Sequence, residues 1–530
     1  MLSKVIKNNA VRQIRVHRVQ LCQASSKIDF NDSQQSFKSK SLPTLIRAYT
    51  VFSICQTPIV VRNAEKLMRM SYKILGYPIT NLVLRHSFYG HFCAGEDAVR
   101  IGPTVKYLES NGVGSILDYA SEADVEDGKP NDPVPVQQAV ANEKKPTVQC
   151  RIYDYKDEDL CDAHAKTFDQ CIRAVHAVSP TGFAAIKVTA LGNPKLLEAM
   201  SVAIVESRRL FEEFDTDKTG YVTREQFLVA YDKYFKGGDV NSIFSKLDDD
   251  NNNRIDYVEW SNGLAPEDLH TLTSQCRLEG PLARSPLSEE ERKLVKRMRQ
   301  RIETLAGLAE SLGVRVMIDA EHTYFQPAID NITYNLAKRF NTKYPVVFGT
   351  YQMYLKDSKH RLLIDLHRAQ KGNYKFAAKL VRGAYMVLER QRAIDLGYED
   401  PIHNTLQDTH ENYNSAVKEV VKRIAEGRDI EIMIASHNQT SVETAIQSME
   451  THKLPPSSGV YFGQLLGMSD HLSFSLGSAG YKAYKYVPFG EIHEVMPYLI
   501  RRAQENSGLM SGATHELDML SKEIRRRIFG

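Results

Sequence analysis

The run Phe376-Ala377-Ala378-Lys379-Leu380-Val381-Arg382-Gly383-Ala384-Tyr385 is apolar along most of its length and polar at its end. It reads as a strand covered on both faces, ending in a tip that carries chemistry. Seven other stretches share the design: 113–119, 183–191, 314–321, 345–354, 429–438, 460–468 and 481–489, each leading into a helix-compatible segment. Strands that alternate with helices predict an α/β protein with a parallel sheet. Eight of them suggest a closed (β/α)8 barrel, although the pattern alone also accommodates a doubly wound sheet. Polar residues gather at the ends of the runs: Lys187, Asp319 with Glu321 and His322, Gln352, Arg382 with Tyr385, and Ser436-His437-Asn438. In a barrel that end is where chemistry sits.

A second feature lies near the C-terminus. Tyr498, Arg501, Arg502 and Glu505 fall at i, i+3, i+4 and i+7, which puts them on one face of a helix. Two adjacent guanidiniums make a fixed fork for a carboxylate ligand. Taken alone, that spacing also describes a solvated charged face.

The chain is 530 residues long, 42% hydrophobic and 25% charged, with a formal net charge of +3. This is enough for a large core without disulfides or a structural metal. There is no basic stripe interleaved with aromatics, so nothing points to nucleic acid. The seven cysteines are scattered and form no CxxC pair, as expected in a reducing compartment. The N-terminus differs in kind: Lys4, Lys7, Arg12, Arg15, Arg18 and Lys27 all precede the first acid, Asp29. Apolar residues are interleaved with them and no secretory core is present. Residues 1–45 therefore read as a mitochondrial transit peptide and a polar, disordered joint. The expected domains then run 46–195 (N-terminal helices and the first part of the barrel), 280–515 (its remainder) and 516–530 (a helical tail). Segment 122–148 reads as a turn-rich surface loop, and 279–290 as a linker entering a helix.

Between the second and third expected barrel strands lies a foreign block, 196–270. It holds two twelve-residue loops with the ligand spacing of EF-hands. In the second, Asp248, Asp250, Asn252, the Arg254 carbonyl, Asp256 and Glu259 occupy the oxygen-ligand positions for Ca2+. Asn253 replaces the usual turn glycine, and Asn tolerates the left-handed backbone needed there. The first loop offers Asp215, Asp217, Thr219, the Tyr221 carbonyl, Thr223 and Gln226. Its last position is an amide, which supplies one oxygen where a carboxylate supplies two, so this loop is expected weak or empty. The block is thus expected to be an all-α EF-hand pair.

The strand-tip motifs together resemble the proline dehydrogenase family of FAD-dependent enzymes. The resemblance is carried by Ala185-Ile186-Lys187-Val188-Thr189-Ala190-Leu191, Ile318-Asp319-Ala320-Glu321, Thr350-Tyr351-Gln352, Lys379 to Tyr385, Ser436-His437-Asn438, Gly463-Gln464-Leu465-Leu466-Gly467-Met468, Tyr484-Lys485-Tyr486-Val487-Pro488 and Tyr498-Leu499-Ile500-Arg501-Arg502. It implies a distorted, TIM-like barrel with FAD at the strand C-termini. L-proline would lose hydride from the carbon beside its ring nitrogen, giving 1-pyrroline-5-carboxylate. Arg501, Arg502 and Lys187 would hold the carboxylate, with Asp319 orienting the cations. Tyr385, Leu465, Tyr486 and Tyr498 would wall the ring. Gln352, Lys379, Arg382, Gly383, Ala384, Ser436, His437, Asn438 and Glu505 would serve the flavin. No acid or base is assigned, because a cationic pocket lowers the amine pKa by itself. Ubiquinone as electron acceptor, and a place in the mitochondrial matrix against the inner membrane, are further implications.

The chain departs from the bacterial members at two positions. Lys379 stands where they have Arg, and Gly349 where they have Gln. Two other readings compete: hydroxyproline dehydrogenase, a sister in the family, and a calcium-responsive binding protein on an inactive barrel. The bulk of Tyr486 favours proline over its 4-hydroxylated form. An NAD enzyme lacks the GxGxxG turn between a strand and a helix.

Overall fold

In the computed structural model the described residues are 28–119 (98 apart), 155–263 (180 apart), 276 and 287–530 (509 apart), and the side chains of 504–513 are not described. The basic leader at 1–27, the loop at 122–148 and most of the linker at 279–290 lie outside them.

All eight expected strands form. In chain order the strands are β1 (Val113–Tyr119), β2 (Phe183–Ile186), β3 (Tyr221–Thr223), β4 (Arg254–Asp256), β5 (Arg315–Ile318), β6 (Val347–Gln352), β7 (Phe376–Val381), β8 (Ile430–Ala435), β9 (Val460–Leu465) and β10 (Lys482–Phe489). Eight of them close in the order β1-β10-β9-β8-β7-β6-β5-β2, every pairing parallel. Closure removes the open edges of a doubly wound sheet and settles that alternative.

The pleat decides which residues enter the lumen. Ile116, Phe183, Met317, Phe348, Ala377, Met433, Tyr461 and Tyr484 form one buried cluster, a plug inside the barrel. Residues of opposite parity, such as Leu117, Ala184, Ile318 and Leu380, join the larger core under the surrounding helices. Counting two or four residues from each plug residue toward its strand's C-terminal end keeps the same face. That arithmetic lands on Asp118, Lys187, Asp319, Gln352, Lys379, His437, Leu465 and Tyr486. The polar tips named from sequence are therefore a layer stacked above an apolar plug.

The N-terminal boundary drawn at 45 falls too late. Phe37 is completely buried, and Lys40 pairs with Asp470 at 2.5 Å, so the residues after 28 are built into the fold. Ser-rich composition suggested a loose joint, but one aromatic and one paired cation suffice to anchor it. Phe37, Leu45, Ala48 and Phe52 share a cluster with Leu517, Met519 and Leu520 of the last helix, Met510–Phe529. The expected tail is thus a docked helix.

The inserted block begins inside a continuous helix, Pro194–Phe214. Its first half (Leu196, Leu197, Met200) packs into the barrel core, and its second half (Leu210, Phe211, Phe214) into a separate one. That second core holds Val222, Phe227, Phe244, Ile255 and Trp260. Two helix–loop–helix units meet there through β3 and β4, antiparallel, with Val222 opposite Ile255. Asn253 has φ +60°, the left-handed backbone expected of it.

Candidate active site

The centre of the mouth is an ion pair. Lys379 Nζ of β7 lies 2.5 Å from Asp319 Oδ1 just beyond β5. Lys379 is buried, while Asp319 keeps some exposure. The other carboxylate oxygen accepts from Tyr486 OH of β10 at 3.1 Å. The ammonium also lies 5.5 Å from the centroid of the Tyr486 ring. Three strands distant in sequence thus converge on one carboxylate. Burial raises the Tyr486 hydroxyl pKa far above its ordinary value, and the charges of Asp118 and Asp319 push the same way. The phenol stays neutral and donates.

Lys187 follows β2, beside Asp319, whose backbone N–H donates to Ile186 O at 3.0 Å. Below it Glu321 is buried and accepts from Thr189 N at 3.1 Å and Thr189 Oγ1 at 2.5 Å. Burial raises the Glu321 pKa, opposed by those hydrogen bonds and by the positive charge of Lys187. Gln352 is tied down, its Nε2 donating to Glu321 O at 2.8 Å. Tyr385 lies against the His322 ring, centroids 4.2 Å apart.

Helix Met496–Gly508 covers the β9–β10 side of the mouth. Tyr498 and Leu499 share a cluster with Met468, and Leu465 packs against it. Arg502 lies over the Tyr498 ring at 4.8 Å and is largely buried, with Arg501 half-buried beside it. The positive field of Arg502 acts on two other side chains. It opposes the rise that burial and Asp118 cause in Cys93. It also adds to the depression of His437, whose pKa falls to about 3 through burial first, then Lys485, Arg502, His471 and Arg382. His437 is neutral at physiological pH, its Nδ1 3.1 Å from Ser469 Oγ. The Glu505 side chain lies outside the described residues.

The β7–β8 side holds a different cation. Arg382 donates to Ser436 Oγ at 2.5 Å, Ser441 Oγ at 2.9 Å and His410 Nδ1 at 3.1 Å, and stacks over the Tyr413 ring at 4.5 Å. Among the described residues its hydrogen-bond partners are all neutral, and burial lowers its pKa. A largely buried guanidinium without a carboxylate fits an anionic ligand group. Beside it Gly383, at φ +139°, and Ala384 are exposed and lead into helix Met386–Leu396, which has no side-chain cap at its N-terminus. Open N–H groups at a helix start suit a phosphate. Asn438 caps helix Gln439–Thr451, accepting from Ser441 N at 2.9 Å. These residues fit the pyrophosphate of a dinucleotide.

One cluster escaped the sequence reading. Asp470 takes Lys485 at 2.7 Å and Lys40 at 2.5 Å, with Asp470 and Lys485 buried and Lys40 partly so. Burial alone would raise the Asp470 pKa, but the two ammoniums pull it well below the usual range. Lys485 was a visible signal, a lysine in mid-strand of a strand covered on both faces, but its partners lie on remote elements.

Among known proteins, the Proline dehydrogenase family profile matches residues 136–515. Proline dehydrogenase 1, mitochondrial, from Homo sapiens is 36% identical over 94% of this chain and 90% of its own length. The Drosophila melanogaster protein of the same name is also 36% identical, over 94% of this chain and 81% of its own. Hydroxyproline dehydrogenase from Xenopus laevis is 30% identical over 96% and 92%. In fold the chain is similar to proline utilization A from Bdellovibrio bacteriovorus, inactivated by N-propargylglycine, with TM-score 0.53 and 16% identity over 94% of this chain. The chain spans only 39% of that protein's length. By family profile and by identity over nearly its whole length, the chain belongs to the proline dehydrogenase family.

Proposed function

We propose that this chain oxidises L-proline to 1-pyrroline-5-carboxylate as the first step of proline catabolism, with FAD as its cofactor. The observation that carries this is the ion pair at the mouth, Lys379 on Asp319, with Tyr486 on the same carboxylate and Lys187 at the end of the neighbouring strand. Arg501, Arg502 and Lys187 are suited to hold the carboxylate, and fixing it orients the ring carbon. Their field lowers the pKa of the secondary amine, so proline binds with a neutral nitrogen and no separate base is needed. Asp319 offsets part of that charge and pins the Tyr486 phenol. Leu465, Tyr385 and Tyr498 complete an apolar wall. Arg382, Gly383, Ala384, Ser436, His437 and Asn438 would hold the flavin, with Gln352, Lys379 and Glu505 nearby, and bound FAD would supply the hydride-accepting centre. The deciding experiment is the anaerobic absorbance spectrum of purified protein. A flavin band bleached by L-proline supports the reading, and a colourless protein or an unbleached flavin defeats it.

Tyr486 is the residue on which proline is separated from hydroxyproline. Its hydroxyl is tied to Asp319 at 3.1 Å and the Lys379 ammonium lies 5.5 Å from its ring centroid, contacts that oppose its swinging away from an added 4-hydroxyl. Tyr486→Ser is expected to raise the ratio of kcat/KM for hydroxyproline over proline by about tenfold or more, within the range for one group in a pocket. An unchanged ratio refutes the crowding account.

The finer placement is a mitochondrial one: the basic leader acts as a transit peptide, and ubiquinone takes the electrons at the inner membrane. No described helix is long and apolar enough to cross a membrane. A surface association is supported by helix Ala64–His86, which breaks at Gly76 and exposes Met70, Ile74, Leu75, Tyr77, Ile79, Leu82 and Val83. Lys66, Arg69, Lys73 and Arg85 are exposed on the same segment. Apolar side chains beside cations suit an anionic bilayer surface. Ile74→Asp with Ile79→Asp should abolish co-sedimentation with cardiolipin vesicles, and retained binding would exclude this helix.

The inserted block is proposed to be a pair of EF-hands. In the first loop Gln226 uses its oxygen to accept Thr223 N at 2.8 Å, leaving an N–H2 that donates to Thr216 Oγ1 at 3.1 Å. An amide donor turned inward disfavours calcium, so Asp215, Asp217, Thr219, Tyr221 and Thr223 are proposed to form a weak or empty loop. In the second, carboxylate oxygens of Asp248, Asp250 and Glu259 lie within 4.8 Å of one another. With Asn252, Asp256 and the Arg254 carbonyl they make the proposed Ca2+ site.

A further inference from the structure

The second loop already holds a cation, and it comes from the barrel. Lys371 is the last residue of helix Ser358–Lys371, which follows β6. Its Nζ reaches Glu259 Oε1 at 2.7 Å, Asp250 Oδ2 at 3.1 Å, Asp256 Oδ2 at 3.3 Å and Asp249 Oδ1 at 3.4 Å. Asp250 and Glu259 belong to the set whose oxygens converge for a metal. Glu259 is 2% exposed. Its Oε2 accepts Asp256 N at 2.8 Å, while among the described residues its buried Oε1 is met by the ammonium alone.

We infer that Lys371 is a built-in competitor for the second loop: its ammonium takes the place of the divalent ion, and calcium binds only by displacing it. The inference rests on the EF-hand reading of the block. An ammonium carries one charge and three donors, whereas calcium carries two charges and takes six to eight oxygens. Calcium is therefore the stronger partner for these carboxylates in kind. The lysine is favoured by being tethered, since a group held on the same folded body competes at high effective concentration. The tether has a second point that does not involve the ligand oxygens. Arg368, one turn earlier, binds Ser261 Oγ at 2.9 Å and Asn262 Oδ1 at 2.8 Å on the exit helix Tyr257–Gly263. The hand pair stays attached through Arg368 when Lys371 lets go. The released lysine lies directly before β7, the strand that carries Lys379.

The test is calorimetric titration of calcium chloride into the chelator-treated, flavin-loaded full chain, wild type against Lys371→Met. The variant is expected to bind one calcium at least tenfold more tightly than wild type. Equal affinities overturn the competition while leaving the EF-hand reading standing. No calcium binding by either protein overturns both. A measurement without substitution guards against a misfolded variant: amine acylation of wild type, read by peptide mass spectrometry. Lys371 is expected to be protected with chelator and at least several-fold more reactive with calcium. Identical labelling in the two conditions overturns the displacement.

Discussion

An Arg502→Met variant is expected to lose about 2–5 kcal/mol of transition-state binding for proline, the usual cost of removing one partner of a buried charge pair. That is a fall in kcat/KM of roughly 30-fold to several thousand-fold. The substitution keeps length and apolar stem, so the Tyr498 ring retains a neighbour. Two observations separate loss of the carboxylate clamp from general damage. Flavin content and melting temperature should stay near those of wild type. Proline methyl ester, whose carboxylate is masked, should distinguish wild type from variant far less than proline does. Normal turnover of proline by Arg502→Met would remove this guanidinium from the substrate site. What singles out Arg502 is its place on the Tyr498 ring, in the helix whose Tyr498 and Leu499 pack with Met468 just beyond β9.

The second large effect is expected at Asp319. Asp319→Ala leaves Lys379 buried at the centre of the mouth without its 2.5 Å partner, and leaves the Tyr486 hydroxyl without an acceptor. Stranding a buried charge costs about 3–5 kcal/mol. Thermal unfolding should show a lowered melting temperature, and proline turnover should fall steeply as Tyr486 loosens. The double variant Asp319→Ala, Lys379→Met should recover part of the stability, because no charge is stranded when both partners go. It should not recover turnover. If Asp319→Ala melts like wild type, or if the double variant is no more stable than the single one, the pair is not the keystone of this site.

The polar strand tips were legible for a simple reason. A strand covered on both faces most readily carries polar groups just beyond its end, as with Lys187 and Asp319, whereas Lys379 lies within β7 and needs a partner. A helix places Tyr498, Arg501 and Arg502 on one side by its own period. Local periodicity therefore picked out many of the polar candidates before any tertiary contact was known, while Lys379, Leu465 and Tyr486 came from the family resemblance. It could not reveal partners. That Arg382 faces Ser436, Ser441 and His410, rather than a carboxylate, depends on how three elements meet. The Lys40–Asp470–Lys485 triad joins side chains from opposite ends of the chain, and no window of sequence contains it.

The second inserted loop marks the same division most sharply. Its ligand spacing was readable because an ion's coordination sphere is supplied by nearby residues of one loop. Its occupation by Lys371 was not, because that ammonium arrives from a barrel helix more than a hundred residues later. By itself the sequence determined eight strands, their helices, the inserted block and the list of chemical groups, since each follows from local backbone preference and period. The tertiary structure alone decided closure into a barrel, the ordering of residues after 28, and which charge neutralises which. Those outcomes depend on long-range burial, where an unpaired charge is costly and the chain must bring a partner from wherever it has one.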